Sequence, residues 1–218
     1  AACPHDAIVA EETAARAAPG RRTWIVDPLD GTVNFAHGIP MFAVSVGLVE
    51  DGVPRTGVVL APALGEEFTA GLGDAAALNG APISVSATTE FADAIVATGF
   101  PYDVDRTADP NFDHFERAVR AARGIRRMGS AALDLAWVAA GRIDAFWEMH
   151  LQPWDVAGAA AVLLAAGGRI TDMAGGGDWL YGRHLAASNG PLHPGLLACL
   201  RPPSFARKSD APAPGALP

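Results

Sequence analysis

Trp24-Ile25-Val26-Asp27-Pro28-Leu29-Asp30-Gly31-Thr32-Val33-Asn34-Phe35 carries a β-type run into a tight turn that holds two carboxylates three residues apart. Gly31-Thr32 follows at once, with free backbone N–H groups and a hydroxyl. Carboxylates hold hard cations through oxygen, and backbone amides at a helix start receive phosphate. Pro28 pre-sets the turn, and Leu29 offers a carbonyl as a further oxygen ligand. Asp-Pro-x-Asp-Gly is equally a good plain turn, with Asp first, Pro second and Gly closing it. The stretch alone leaves both readings open. Acids elsewhere favour the first: Glu11-Glu12 upstream and Trp154-Asp155 far downstream.

Composition narrows the partners. In 218 residues, 50% are hydrophobic and 18% charged, which describes a globular chain with a sizeable core. The net charge of −8 argues against nucleic acid or an anionic membrane as partner. Arg120, Arg123, Arg126 and Arg127 form the densest basic cluster and would have to share a face to bind nucleic acid. An acidic protein that binds an anionic phosphate needs metal cations between the two. Cys3 and Cys199 lie at opposite ends and suggest no disulfide framework, so a reducing, cytoplasmic setting is expected. The longest apolar stretch, Val156 to Ala166, is too short to span a bilayer. The six histidines show no metal-like spacing, and His37 reads as structural.

Short β-type runs are expected at Thr23–Val26, Ala43–Val49, Thr56–Leu60, Glu67–Gly71 and Ile83–Val85. Turns at Asp51-Gly52 and Asn79-Gly80 favour antiparallel hairpins. Phe112, Phe115, Val119 and Ala122 recur at helical spacing, which predicts an amphipathic helix over Asn111 to Arg123. Ser130 can cap a second helix running to about Gly141, and a third runs from about Trp154 to Ala166. Strands are expected between them at Ile125–Met128, Ala145–Glu148 and Arg169–Thr171. The pattern is α+β joined to α/β. It gives an α+β half over 1–90 with an antiparallel sheet, an α/β half over 91–201, and a Pro/Ala/Ser-rich disordered tail over 202–218.

Asp27-Pro28-Leu29-Asp30-Gly31-Thr32 with Val33-Asn34-Phe35 resembles the first motif of the inositol monophosphatase family. Pro153-Trp154-Asp155-Val156-Ala157-Gly158-Ala159, followed by Ala166-Gly167-Gly168, resembles its second. Gly129-Ser130-Ala131-Ala132 and Glu148-Met149 lie between them in family order, and the likeness runs from about Pro4 to Leu200. The resemblance implies a layered α-β-α-β-α sandwich with its site between the halves. It also implies Mg²⁺-dependent, Li⁺-sensitive hydrolysis of a small phosphate ester by a protein that is often a homodimer. Relatives acting on nucleotide 3′-phosphates usually carry Lys after Asp-Gly-Thr. Val33 stands there, which favours myo-inositol monophosphate, while histidinol phosphate and fructose 1,6-bisphosphate stay open as substrates.

By the same resemblance Glu11, Asp27, the Leu29 carbonyl, Asp30 and Asp155 are the metal ligands, with Asp27 shared between two ions. Thr32 positions the attacking water, and with Glu11 and Asp27 makes the catalytic set. Gly31 and Thr32 amides hold the phosphate. Gly129, Ser130, Ala131, Glu148 and Asp155 contact the polyol. Asp155 has a second reading as a helix cap, and both can hold together. Asp134 and Asp144 read as local helix and turn residues. Family members carry two helices ahead of Ala1, one of which pairs an Asp with the Thr hydroxyl. The expectation is that this chain lacks that helical layer and has weakened activity, or serves as a non-catalytic binding protein.

Overall fold

The structure is a computed structural model that describes residues 3, 5–13, 22–102, 104–107 and 109–201. The tail expected over 202–218 lies outside the described residues. Strands β1 (Ala7–Ala10), β2 (Thr23–Asp30), β3 (Ala43–Glu50), β4 (Val53–Ala61), β5 (Glu66–Ala70), β6 (Ala77–Leu78) and β7 (Ala81–Pro82) form one sheet in sequence order. β1 runs parallel to β2, and the remaining pairs are antiparallel. The hairpins turn where the sequence indicated. Asp51-Gly52 and Asn79-Gly80 all take positive φ, which the tight β3–β4 and β6–β7 turns demand.

The second sheet runs β11-β12-β10-β8-β9. It is built from β8 (Ile95–Thr98), β9 (Gly124–Arg126), β10 (Ala145–Met149), β11 (Arg169–Thr171) and β12 (His184–Ser188). Helices α3 (Ala131–Ala139) and α4 (Pro153–Ala165) lie between the sheets, while α2 (Phe112–Ala121) and α5 (His193–Leu200) cover the far side of the second. The described layers are therefore β-α-β-α, an α/β sandwich as expected. Because α4 is covered on both sides it is apolar all round, with Val156 through Leu163 buried.

Small residues set how closely α4 sits on the first sheet. A β-carbon on Gly158 would lie 2.6 Å from Ser45 Oγ and 2.8 Å from the Val46 carbonyl oxygen. One on Gly47 would lie 2.7 Å from the backbone of Ala157. This close approach holds the first turn of α4, and with it Asp155, over β2.

Three expectations need correction. Asp27 and Asp30 do not sit on a turn beyond the strand: β2 continues to Asp30, and its register with β3 shifts between those two residues. Such a bulge bends the strand and re-aims its side chains, which is why the acids face inward. Ile83–Val85 is not a strand, since Asn79-Gly80 closes the β6–β7 hairpin and the chain then leaves the sheet. In α2 the buried residues are His114 and Ala118, while Phe112 and Val119 are about half exposed. That helix turns His114 and Ala118 inward, and its two phenylalanines pack on Phe100 at the rim. Strands β1, β8 and β12, and helix α5, are further elements that the periodicity did not mark. Among the described residues, no helix is long and apolar enough to cross a membrane.

Candidate active site

Three acids from two distant motifs converge. Asp27, Asp30 and Asp155 each offer an oxygen within 4.8 Å of the others. Asp27 is 2% exposed and Asp30 9%, and neither forms an ion pair with a described cationic side chain. Burying carboxylates without a cation is costly, and the protein lifts their pKa instead. Burial, then the Asp30 charge, pushes Asp27 up to about 7. Burial pushes Asp155 to about 7 and Asp30 to about 6. A divalent cation fits this set of oxygen donors and would reverse the shifts.

Each acid is fixed by the local backbone. Asp27 Oδ1 accepts from the Leu29 amide at 2.9 Å. Asp155, in the first turn of α4, accepts from the Gln152 amide at 2.7 Å through Oδ2, so it caps the helix and faces the cluster at once. Asp30 is held from across the molecule. The Ser130 hydroxyl donates to its Oδ2 at 2.5 Å and the Ala132 amide at 2.8 Å. Ser130 Oγ also accepts from the Leu133 amide at 3.3 Å, capping α3.

The turn after the first motif tolerates only glycine. Gly31 has φ +85°, and a β-carbon there would meet the Met41 carbonyl oxygen at 2.7 Å. Asn34 stitches the same segment to the second half, donating from Nδ2 to the carbonyls of Met41 at 2.6 Å and Met128 at 2.8 Å. Helix α1 (Thr32–Ala36) starts here. The Thr32 hydroxyl donates to the Leu29 carbonyl at 3.0 Å, which leaves its oxygen free to accept.

A pocket of about 100 Å³ opens beside the acids, lined by Asp30, Gly129, Ser130, Ala131, Glu148 and Asp155 among others. Gly129, Ser130, Ala131 and Glu148, expected at the polyol, all line this pocket. The Ser130 hydroxyl, however, is spent on Asp30. The carboxylate of Glu148 rests on Gly99, where any β-carbon would overlap it. Burial, followed by the charges of Asp30 and Asp155, pushes Glu148 up to about 8. Glu11 lies in the short 3₁₀ turn after β1, outside the 4.8 Å set, and its charge still reaches Asp27 and Asp155.

Sequence reasoning missed Phe100, Tyr102 and Arg127, which also line the pocket. Arg127 belongs to the arginine run, but its neighbours gave no sign that it faces the acids. Asp134 is no ordinary surface helix acid. It is 1% exposed, its Oδ1 has no hydrogen-bond partner, and burial next to Glu148 holds its pKa well above the usual range. Asp144 is structural as expected, accepting from Ser86 Oγ and the Ile95 amide.

Comparison with known proteins agrees with this assembly. The family profile described as "Inositol monophosphatase family" matches residues 1–202. The Nus factor SuhB of Pseudomonas aeruginosa is 44% identical over 181 residues, 82% of this chain and 67% of that protein. An inositol-1-monophosphatase of Mesorhizobium japonicum is 41% identical over 92% of this chain and 75% of that protein. The solved inositol monophosphatase from Anabaena superposes with a TM-score of 0.87 at 40% identity, covering 90% of this chain and 79% of its own. With the acids, the bulged strand and the sandwich in place, the chain belongs to the inositol monophosphatase family of phosphomonoesterases.

Proposed function

We propose that this protein hydrolyses myo-inositol monophosphate to inositol and phosphate with Mg²⁺ as cofactor. The observation that carries the reading is the convergence of three carboxylates, buried Asp27 and Asp30 and partly buried Asp155, with no described cationic side chain paired to them. With Glu11 and the Leu29 carbonyl they make an all-oxygen donor set that suits a hard cation. When bound, Mg²⁺ polarises the phosphoryl oxygens and lowers the pKa of water.

The remaining work falls to the chain's own groups. The amides of Gly31 and Thr32 receive phosphate oxygens at the start of α1. The Thr32 hydroxyl donates a hydrogen bond to the Leu29 carbonyl, so its oxygen lone pair accepts a hydrogen bond from the attacking water and aims that water at phosphorus. Glu11 and Asp27, as ligands, would hold the cation beside that water, whose proton passes to solvent. The P–O bond to the polyol breaks as the new one forms, and the leaving oxygen takes up a proton from solvent and departs as the alcohol. Glu148 and Asp155 bind ring hydroxyls, with Gly129 and Ala131 closing the pocket wall. Family likeness adds Li⁺ sensitivity, a homodimer and a cytoplasmic setting to the proposal.

A second reading has its own support, since a 44% identical relative is named a Nus factor. Under that reading the fold binds a partner and turnover is secondary. Steady-state kinetics on myo-inositol 1-phosphate, histidinol phosphate and fructose 1,6-bisphosphate separate these cases. The proposal expects kcat/KM for the inositol ester to exceed the others at least about tenfold, roughly 1.4 kcal/mol of transition-state preference. A reversed order replaces the substrate. No turnover of any ester by folded, Mg²⁺-loaded protein favours the binding role.

A further inference from the structure

The parallel ladder between β8 and β10 ends with Thr98 opposite Trp147. The next residue on each strand, Gly99 and Glu148, lines the acidic pocket. The two are in close contact, since a β-carbon on Gly99 would overlap the Glu148 carboxylate. The backbone at Gly99 is thus the floor on which that carboxylate rests.

Side chains alternate along a strand, so Thr98 and Trp147 point to the other face of the sheet. There both meet Asn111. Asn111 Nδ2 donates to Thr98 Oγ1 at 2.8 Å and to the Gly99 carbonyl oxygen at 2.6 Å. Trp147 Nε1 donates to Asn111 Oδ1 at 2.7 Å. All three residues are fully buried. Asn111 holds the N-cap position of α2, where an Asn side chain ordinarily accepts from the helix's first amides. It makes no such bond, and its backbone is left-handed at φ +72°. The side chain is spent on the strand ends instead. Phe100, the residue after Gly99, packs on Phe112 and Phe115 of the same helix, with ring centroids 5.7 and 5.4 Å away. Helix α2 therefore grips the pocket wall twice, Gly99 through the Asn111 amide and Phe100 through ring contact.

We infer that Asn111 is a positioning residue for substrate recognition. It bolts the end of the β8–β10 ladder, so that Gly99 and Glu148 present one fixed face to the polyol. The inference rests on the proposed reading of Glu148 as the group that binds ring hydroxyls. A buried amide with three hydrogen bonds leaves a partner unsatisfied when it is altered, and the ladder end must shift to compensate. Asn111→Asp is the most selective change. Asp has the same size and tolerance of positive φ, and still accepts from Trp147, but it sets an oxygen against the Gly99 carbonyl.

The test is steady-state kinetics of Asn111→Asp on two esters. Myo-inositol 1-phosphate offers ring hydroxyls to Glu148, and p-nitrophenyl phosphate has none. The inference expects KM for the inositol ester to rise at least about tenfold, with its kcat and both constants for the aryl ester within about threefold of wild type. Glu148→Ala should raise the same KM, and the double variant should add less than about twofold to it, because the two changes remove one interaction. In ¹³C NMR the Glu148 carboxyl resonance should move in Asn111→Asp while those of Asp27, Asp30 and Asp155 stay. An unchanged KM for the inositol ester, or equal losses on both esters, would overturn the inference. Should the wild type turn over neither ester, the phosphatase reading fails by itself, and a stationary Glu148 resonance then overturns this inference separately. Trp147→Phe, which deletes only the indole donor, carries the same measurements if Asn111→Asp does not fold.

Discussion

Strand β10 divides two clusters of titratable side chains that are held in different ways: the acids on one side, and His114, His150 and His184, which line a cavity, on the other. On the α3/α4 side, every acid of the triad is already held: Asp27 by the Leu29 amide, Asp30 by Ser130 and Ala132, Asp155 by Gln152. On the α2/α5 side, the Nδ1 atoms of His114 and His184 have no hydrogen-bond partner. The first cluster keeps its geometry without a ligand, because amides and a hydroxyl compete for the carboxylate charge. The second has no such scaffold. Preorganised charge is what catalysis requires.

The largest expected effect comes from removing a charge on the held side. Asp27→Asn should cut Mg²⁺-dependent phosphate release by about 1000-fold or more, since metal stabilisation is worth several kcal/mol. The same variant should match or exceed the wild type in metal-free melting temperature, because burial disfavours that charge. A falling melting temperature would mean that Asp27 holds the fold together. Gly31→Ala comes next. A side chain at φ +85° against the Met41 carbonyl should cost about 2 kcal/mol or more in urea denaturation and move both Asp30 and Thr32. Unchanged stability would show that the turn is less crowded than described.

Ser130→Ala is milder. It removes a helix cap and a charge-assisted bond to Asp30, so about 1–2 kcal/mol of stability and roughly tenfold in kcat should go. An unaffected kcat would mean that the backbone amides alone fix Asp30. The smallest effect is on pH. Asp27 and Asp155 titrate at about 7 and Glu148 at about 8 when folded, all far above their unfolded values near 4. The folded chain keeps protons that the unfolded chain releases. This stability is complete below about pH 4 and is lost as pH rises through 7 to 8. Calorimetry on metal-free protein should therefore show melting falling by several degrees between pH 5 and pH 8, with Mg²⁺ reversing the fall. A rise over that range would contradict the burial of these acids.

The held side was largely legible in the sequence, because its parts are local. Asp27-Pro28-Leu29-Asp30-Gly31 contains both acids, the bulge and the glycine turn within five residues. Ser130 reads as a cap from its own neighbours. Asp155 followed by Ala157-Gly158-Ala159 predicts a close-packed helix, and the contacts of Gly158 with Ser45 and Val46 bear that out. What was not legible depends on long-range pairing. Arg127 and Tyr102 enter the pocket, and Asp134 is buried behind Glu148, only because the second sheet brings their segments together. The apolar spacing of α2 named the wrong face because Phe112 and Phe115 have an aromatic neighbour, Phe100, at the rim. The cavity on the far side of β10 gathers His114, His150 and His184, which lie 36 and 34 positions apart, and no spacing rule covers such gaps.

Phosphate release from myo-inositol 1-phosphate, with and without Mg²⁺, in the wild type and in Asp155→Asn, tests the central claim most directly. The account predicts release that requires Mg²⁺ and drops about 1000-fold in the variant, while the variant stays folded. Release that proceeds without a divalent cation, or survives Asp155→Asn undiminished, would contradict it.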